Sequence, residues 1–208
     1  MTMKLYDFPG APNPRRVRMF LAEKAVPVES VNIDMRAGEH KTPEFLKKNP
    51  SGKIPVLELD DGTCIAESVA ICRYIEAVHP EPNLFGADPL ELGRIEMRNR
   101  HIELELLSQI GISWVNGPVV ASIAAGRFTQ VPQAKENSDA AVGRFYARLD
   151  GELEDSAYIA GTRFTIADIT ALIAIDFAAA MVELKPDDSL THLWRWHAAV
   201  SARPSAAA

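Results

Sequence analysis

The spacing of apolar residues predicts an amino-terminal part in which strands and helices alternate. After the first helix pair, Val56, Leu57 and Leu59 predict a strand, Asp60-Asp61-Gly62 a tight turn, and 64–66 the returning strand. The order βαβ followed by ββα predicts an α/β domain. The other strands are predicted at 3–8 and 28–33, and the helices at 14–24, 42–48 and 68–78.

The second part of the chain shows helical periodicity without a strand pattern. Prolines cluster at 80–89, which predicts a linker at 80–88 between a first domain, 1–79, and a second domain, 89–208. Gly117-Pro118 is expected to break the first long helix. The second domain is therefore predicted to be all-α. Its helices are predicted at 89–112, 119–126, 133–155, 166–182 and 189–202.

One helix start has a recognisable cap. Thr165 and Asp168 have the spacing of a capping box at the head of the most apolar helix. We expect Asp168 to be structural, because a catalytic carboxylate is not needed to explain this pattern. Loss of the Thr165 cap is expected to cost about 1 kcal/mol of stability.

Composition favours a soluble protein in the cytoplasm. No basic segment followed by an apolar stretch opens the sequence, so no signal peptide is predicted. The longest apolar run, 169–182, contains Asp176 and is shorter than the roughly 20 residues that span a bilayer. No membrane partner is expected.

Charge and metal-binding residue types narrow the ligand classes. Lys and Arg balance Asp and Glu at eleven each in 1–79, whereas 80–208 has eleven against seventeen, which gives the net charge of −6. Nucleic acid is not expected as a partner, because no basic stripe is present to neutralise phosphates. An anionic ligand is expected to prefer the amino-terminal part. His192 and His197 have no Cys or acidic pair at metal-ligand spacing, so no metal is predicted.

The segment from Gly52 to Leu57, followed by Glu67-Ser68, predicts a site for a small peptide-like ligand. Pro55 cannot donate a ladder hydrogen bond, so it belongs where the strand begins, with a cis bond that leaves the Ile54 backbone groups facing outward. Ser68 is predicted as the N-cap of a helix whose first amides are free to bind a carboxylate. Glu67 supplies the opposite charge for an ammonium group. Together they match the head group of an amino acid.

These motifs resemble those of the cytosolic glutathione S-transferases, and the resemblance extends over nearly the whole chain. In that family a thioredoxin-like domain carries the cis-proline, and a Glu/Gln-Ser pair holds the γ-glutamyl end of glutathione. The resemblance implies glutathione as co-substrate, a small apolar electrophile bound by the helical domain, and a homodimer. The expected dimer interface lies on the helices at 68–78 and 89–112. Trp114 and Phe128 are candidates for the electrophile pocket, although core packing is the more frequent fate of such aromatic residues.

The thiol end of the site departs from the common family patterns. Many members place a tyrosine at the end of the first strand, or a serine or cysteine near the following helix, to stabilise the glutathione thiolate. Alignment on the arginines of the first helix puts Asp7 at the tyrosine position and Ala11 at the serine position. Tyr6 is one residue out of register, so it is expected to face away.

Asn13 is the predicted thiolate stabiliser. As an N-cap ahead of Pro14 it would use its amide oxygen and leave its NH2 as a donor at the positive end of the helix. The arrangement is similar to that of bacterial nu-like and fungal prion-related members, in which an asparagine replaces tyrosine or serine. Arg15 and Arg18 share a helix face that is expected to be solvated.

The remaining parts of glutathione are assigned by the same resemblance. The cysteinyl backbone is expected to pair with Ile54 as an added strand. Lys53 and His40 are candidates for the glycyl carboxylate, and His40 lies nine residues before Asn49, the spacing found in theta-like members. Both remain candidates for ordinary surface residues.

The resulting prediction is a glutathione transferase that activates the thiol of glutathione for attack on small electrophiles. Two alternatives stay open. One is a glutathione-dependent reductase of disulfides or peroxides, which depends less on a single hydroxyl donor. The other is a non-catalytic, dimeric, glutathione-binding scaffold, since family members have lost activity in this way.

Overall fold

The computed structural model describes residues 3–124 and 129–208, which form two compact units. The first contains the chain up to Leu84 together with Pro204–Ala208, and the second runs from Phe85 to Arg203. The first is a thioredoxin-like α/β unit with a four-stranded mixed sheet, and the second is helical, which confirms the predicted fold class. The functional division into 1–79, 80–88 and 89–208 stays a prediction.

The elements of the first unit follow the predicted βαβ-ββα order. Strand order in the sheet is β2-β1-β3-β4, with β1 and β2 parallel and the other neighbours antiparallel. Short 3-10 turns at Glu39–Lys41 and Pro204–Ala207 supplement the helices. The main elements are β1 (Lys4–Asp7), α1 (Pro12–Glu23), β2 (Glu29–Asn32), α2 (Pro43–Lys48), β3 (Val56–Glu58), β4 (Cys64–Ala66) and α3 (Ser68–Val78).

The strand register brings the ends of three strands together at one end of the sheet. Tyr6 on β1 is opposite Val56 on β3, and Val56 is opposite Ala66 on β4. The end of β1, the start of β3 and the end of β4 therefore lie side by side. Because α1 follows β1 and α3 follows β4, both helices begin at this end of the sheet.

The two faces of the sheet are covered differently. Leu5, whose side chain is fully buried, faces opposite to its neighbour Tyr6, as strand alternation requires. Tyr6 packs with α2, where its ring meets Phe45 edge-on at 6.0 Å and joins a core of Ile33, Phe45 and Val56. The prediction that Tyr6 faces away from the first helix start is confirmed.

Among its described residues, the second unit has helices as its regular elements, apart from an isolated bridge between Tyr158 and Gly161. A π-helical segment, Ile102–Leu107, joins α4 to α5 without a break, and the predicted break at Gly117-Pro118 separates α5 from α6. The end of the helix predicted at 119–126 lies outside the described residues. The helices are α4 (Pro89–His101), α5 (Ser108–Val115), α6 (Pro118–Ile123), α7 (Pro132–Glu152), α8 (Ile166–Met181) and α9 (Thr191–Ser201).

The capping box at the head of α8 is present as predicted. The Asp168 carboxylate is fully buried and accepts hydrogen bonds from the backbone N–H of Thr165 and of Ile159, both at 2.9 Å, and from Trp196 Nε1 at 2.8 Å. Burial raises the pKa of Asp168, and these hydrogen bonds act against that rise. Asp168 therefore joins α8, α9 and the loop before α8.

Two further expectations concern the aromatic residues of the second unit and the chance of a membrane-spanning helix. Trp114 lies against Phe177, with ring centroids 6.0 Å apart, whereas Phe128 lies outside the described residues. Across the described parts of the chain, none of the helices combines the length and apolarity needed to cross a membrane.

Candidate active site

The start of β3 has the geometry that its proline predicts. The Ile54–Pro55 bond is cis, Pro55 is buried, and Ile54 is half-buried. Within the described residues, the backbone N–H and C=O of Ile54 have no hydrogen-bond partner. An extended peptide can therefore pair with the backbone of Ile54, just before β3, at this end of the sheet.

Asn49 fixes the loop before this proline, and the sequence reasoning missed it as a site residue. Its Nδ2 donates to the Lys53 carbonyl at 2.7 Å, and its Oδ1 accepts from the Ser51 backbone N–H at 3.1 Å. Asn49 is buried. Its position directly before Pro50 was the available signal, because Asn-Pro marks a turn held by its own side chain.

The His40 segment lies against the same loop. Lys41 Nζ donates to the Gly52 carbonyl at 3.2 Å, and Gly52 has φ +59°. A Cβ at Gly52 would lie 2.6 Å from Lys41 Nζ and 2.9 Å from the His40 carbonyl, so glycine is required there. The fold thus brings His40 close to the residue before Lys53.

His40 and Lys53 differ in electrostatic state. The pKa of His40 is lowered by burial and, secondarily, by the charge of Lys41. Its Nδ1 atom is buried without a hydrogen-bond partner among the described residues. Lys53 is exposed. Lys53 therefore offers a solvated cationic group, and the lowered pKa of His40 favours the neutral form of its ring.

The start of α3 differs by one residue from the prediction. Glu67 is the N-cap and Ser68 is the first helical residue, so the prediction of Ser68 as N-cap is wrong. Glu67 has φ 69° and ψ 117°, which are unfavourable for a residue with a Cβ. This backbone exposes the Glu67 side chain and buries that of Ser68. Strain of this kind often marks a ligand-binding position.

The start of α1 also differs from the prediction. The helix begins at Pro12 with Ala11 as N-cap, and Asn13 is its second residue, without a capping hydrogen bond. Asn13 as N-cap is therefore wrong. The reason is that two prolines suit the first turn of a helix, so the helix begins two residues closer to β1 than predicted.

This helix start offers few backbone donors. Pro12 and Pro14 have no N–H group, and the Arg15 N–H is bonded to the Ala11 carbonyl at 3.3 Å. The Asn13 N–H has no backbone or side-chain acceptor among the described residues. Asn13 therefore contributes both a backbone N–H and a side-chain NH2 at the positive end of α1.

Arg16 joins the two helix starts, and the sequence reasoning did not identify it. Arg16 is 1% exposed, and its Nη1 donates to Ser68 Oγ at 2.6 Å and to Asn13 Oδ1 at 3.3 Å. Ser68 Oγ and Asn13 Oδ1 are 3.5 Å apart. The signal was periodicity, because Arg16 is four residues before the buried Phe20 and shares its helix face.

The side chains at the family's tyrosine position and beside it have other partners. Asp7 is buried and accepts from Arg18 Nη1 at 2.6 and 2.7 Å, so the expected solvated face of Arg18 is in part a buried ion pair. Tyr6 donates to Glu58, which also accepts from Lys48 at 2.7 Å. Neither Asp7 nor Tyr6 is available to donate to a thiol.

Chemically, the end of the sheet where α1 and α3 begin presents binding groups for a short anionic peptide. Lys53 and the Ile54 backbone precede β3, Glu67 directly follows the neighbouring β4, and Ser68 and Asn13 meet at the two helix starts. Helix starts and N–H donors favour carboxylate or thiolate groups. Glu67 favours an ammonium group.

Comparison with known proteins agrees with this class of protein, a thioredoxin-like domain followed by a helical domain. Family models described as the N-terminal and C-terminal domains of glutathione S-transferase match residues 1–77 and 113–204. Glutathione S-transferase 2 of Saccharomyces cerevisiae is 42% identical over 210 residues, covering 98% of this chain and 87% of the yeast protein.

Solved structures give the same result. The crystal structure of Gtt2 from Saccharomyces cerevisiae has a TM-score of 0.89 at 39% identity and covers 97% of each chain. A glutathione S-transferase domain-containing protein of Marinobacter aquaeolei has a TM-score of 0.87 at 39% identity, covering 97% of this chain and 98% of the other. The chain belongs to the cytosolic glutathione S-transferase family, whose members use glutathione as co-substrate.

Proposed function

We propose that the protein is a glutathione transferase that activates the glutathione thiol for attack on small apolar electrophiles. The observation that carries this proposal is the meeting of Asn13 and Ser68 at the starts of α1 and α3, beside the exposed Glu67 and the cis-proline loop. This arrangement supports the proposal because it offers separate polar groups for the two ends of a tripeptide. The resemblance to nu-like members, which rests on Asn13, and to theta-like members, which rests on the spacing of His40, is part of the same proposal.

Each part of the tripeptide has a proposed partner. The γ-glutamyl ammonium binds Glu67, and its carboxylate binds Ser68 and the first amides of α3. The cysteinyl backbone pairs with Ile54, with Pro55 shaping the loop. The glycyl carboxylate binds Lys53, with His40 as a neutral donor beside it. This assignment follows the charges and free hydrogen-bonding groups of the site.

The proposed catalytic step is stabilisation of the thiolate by Asn13. A thiol with a pKa of about 8.5 is only a few per cent ionised at neutral pH, and two pH units of lowering require about 2.7 kcal/mol. Two hydrogen bonds to an anion, each contributing about 1.5–3 kcal/mol, suffice for this. The backbone N–H and the side-chain NH2 of Asn13 are the two proposed donors. The sulfur of glutathione is the nucleophile, and no metal takes part.

A specific observation favours glutathione-dependent reduction as a second candidate. Ala11 stands where many family members have serine, and Tyr6 is bonded to Glu58, so no hydroxyl is directed at the first helix start from these positions. Thiol–disulfide exchange depends on the thiolate and on the leaving sulfur rather than on one hydroxyl donor. The same tripeptide site serves both reactions.

Binding and turnover measurements test these candidates together. The protein is passed over immobilised glutathione and then assayed with a halonitroarene, a peroxide and a glutathione mixed disulfide. We expect retention, and turnover of the halonitroarene that falls in Asn13→Ala but not in Asn137→Ala, a change on the helix surface. Turnover of the peroxide or of the mixed disulfide, without turnover of the halonitroarene, identifies a reductase. Retention without any turnover identifies a scaffold, and failure to bind glutathione contradicts the proposal.

We also propose that the protein is a cytoplasmic homodimer, with α3 and the helix at 89–112 in the interface. Leu90, Met97 and Leu104 follow one another at seven-residue spacing and are 62%, 50% and 56% exposed. Such a stripe of apolar side chains is typical of a helix face that packs against a partner. Sedimentation analysis of the wild type and of Met97→Glu tests this. A monomeric wild type contradicts the dimer.

A further inference from the structure

Arg16 contacts both of the residues that face the ligand in the proposed function. Its Nη1 atom lies 2.6 Å from Ser68 Oγ and 3.3 Å from Asn13 Oδ1. Arg16 and Ser68 are both buried, at 1% and 5% exposure. A charged group at this depth has a large influence on the neighbouring polar groups, because water does not screen it.

The chemistry of the guanidinium determines which atoms of its neighbours stay available. Arginine has five N–H donors, no acceptor, and no titration in the accessible pH range. An amide and a hydroxyl have both donors and acceptors. Arg16 therefore occupies the acceptor oxygens of Asn13 and Ser68 and leaves their hydrogens for other partners.

For Asn13, this fixes the orientation of the amide. With Oδ1 turned to Arg16, the Nδ2 atom is on the opposite side of the planar amide, and it has no hydrogen-bond partner among the described residues. For Ser68, the hydroxyl hydrogen has the Asn13 oxygen at 3.5 Å as acceptor, which is a long hydrogen bond. A carboxylate is a stronger acceptor and displaces it.

We infer that Arg16 is a positioning residue that makes Asn13 and Ser68 hydrogen-bond donors towards an anionic ligand. Its two bonds direct the Asn13 NH2 to the thiolate and the Ser68 hydroxyl to the γ-glutamyl carboxylate of glutathione. The inference rests on the proposed function and deepens it. It couples the two ends of the ligand site through one side chain.

Two ligands separate the two effects. S-methylglutathione has no ionisable thiol, so its Kd reports on the γ-glutamyl end, whereas ultraviolet titration of bound glutathione reports on the sulfur. In Arg16→Met we expect the thiol pKa to rise by about one pH unit and the affinity for S-methylglutathione to fall about tenfold, as loss of a charge-assisted hydrogen bond typically gives. Arg16→Lys keeps the charge but not the two-acceptor geometry, and we expect intermediate values.

Double-variant cycles show whether Arg16 acts through its two neighbours. We expect the thiol pKa of Asn13→Ala/Arg16→Met to equal that of Asn13→Ala alone. The Kd of S-methylglutathione for Ser68→Ala/Arg16→Met is expected to equal that for Ser68→Ala alone. Full additivity in either cycle overturns the inference, because independent effects of a buried charge would add.

A matched control uses the neighbouring arginine. Arg15 donates to the Ala206 carbonyl at 3.1 Å and lies on the same helix start. Arg15→Met removes the same charge and is expected to change neither the thiol pKa nor the Kd. If Arg15→Met reproduces the changes of Arg16→Met, the effect comes from the general positive potential and the inference is overturned.

A stability measurement covers the case in which the Arg16 variants do not fold. Asn13→Asp keeps the oxygen that accepts from Arg16 and adds a charge to it, so we expect its melting temperature to be at least that of the wild type. Asn13→Ala is expected to melt lower. A lower melting temperature in Asn13→Asp than in Asn13→Ala overturns the inference. If the wild type fails to bind glutathione, the proposed function and this inference fall together, whereas additive cycles in a glutathione-binding wild type overturn this inference alone.

Discussion

Replacement of Glu67 by glycine is expected to stabilise the fold and weaken glutathione binding. Glu67 connects β4 to α3 with φ 69° and ψ 117°, where a Cβ meets the backbone unfavourably and glycine does not. Its exposed carboxylate is the proposed partner of the γ-glutamyl ammonium. The same substitution removes the backbone strain and the ligand contact.

The magnitude follows from two opposing contributions. Relief of strain at a non-glycine residue with positive φ is typically about 1–3 kcal/mol. The greater conformational freedom of glycine in the unfolded chain costs about 0.5–1 kcal/mol. The net gain is about 1 kcal/mol, which raises the melting temperature of a chain of this size by roughly 3 °C. Loss of the charged contact is expected to reduce glutathione affinity about tenfold.

Thermal unfolding and calorimetric titration with glutathione measure both effects. Glu67→Gln keeps the strain and one acceptor oxygen, so we expect an unchanged melting temperature and a smaller loss of affinity. Ala25→Gly, at another non-glycine residue with positive φ (51°), is expected to gain stability without any change in affinity. If Glu67→Gly melts below Glu67→Gln, backbone strain at Glu67 does not reduce stability. If Glu67→Gly binds glutathione as tightly as the wild type, Glu67 does not bind the ammonium group.

Three further predictions concern stability and loop geometry. Asp168→Ala removes the acceptor of four buried donors, which are two backbone N–H groups, the Thr165 hydroxyl and Trp196 Nε1. It is expected to cost at least about 3 kcal/mol in chemical denaturation, whereas a loss below about 1 kcal/mol contradicts the capping role. Hydrogen bonds from Lys48 and Tyr6 lower the pKa of Glu58 in the folded protein. The contribution of Glu58 to stability is therefore fully present above the usual glutamate pKa, and it is lost as the pH falls through the lowered pKa of the folded protein. The difference in unfolding free energy between the wild type and Glu58→Gln should therefore narrow from about pH 7 to about pH 3. A constant difference contradicts a stabilising role of the Glu58 carboxylate. Asn49→Ala frees the Lys53 carbonyl and is expected to raise the KM for glutathione with kcat little changed; an unchanged KM argues against its loop role.

The sequence predicted the fold well because local signals and the wider pattern agreed. Pro55 could not continue a ladder, Asp60-Asp61-Gly62 could form a tight turn, and 68–78 had helical spacing, so the order of elements had few alternatives. Errors occurred at helix starts. Asn13 and Ser68 both have the residue type of an N-cap, yet Ala11 and Glu67 occupy the N-cap positions. Proline tolerance at the first turn and a strained connection decided these two cases.

The polar network of the site was less accessible from the sequence. Arg16 was overlooked because arginine is usually solvated, and its burial depends on how α1 packs against α3. Asn49 bonds Ser51 and Lys53 in the loop that it begins, and residue spacing only suggests these contacts. Tyr6 was correctly placed away from the first helix start, since strand alternation alone determines its face.

Thiolate stabilisation by Asn13 is tested by the thiol pKa of glutathione bound to the wild type and to Asn13→Ala, measured by ultraviolet titration. In the wild type we expect the pKa of the bound thiol to lie well below the free value of about 8.5. In Asn13→Ala we expect this pKa to rise by about one unit or more, because each donor to the thiolate contributes about 1.5–3 kcal/mol. Asn137→Ala is expected to match the wild type. A bound thiol that titrates like free glutathione, or an Asn13→Ala value equal to that of the wild type, would contradict the central claim that Asn13 stabilises the thiolate.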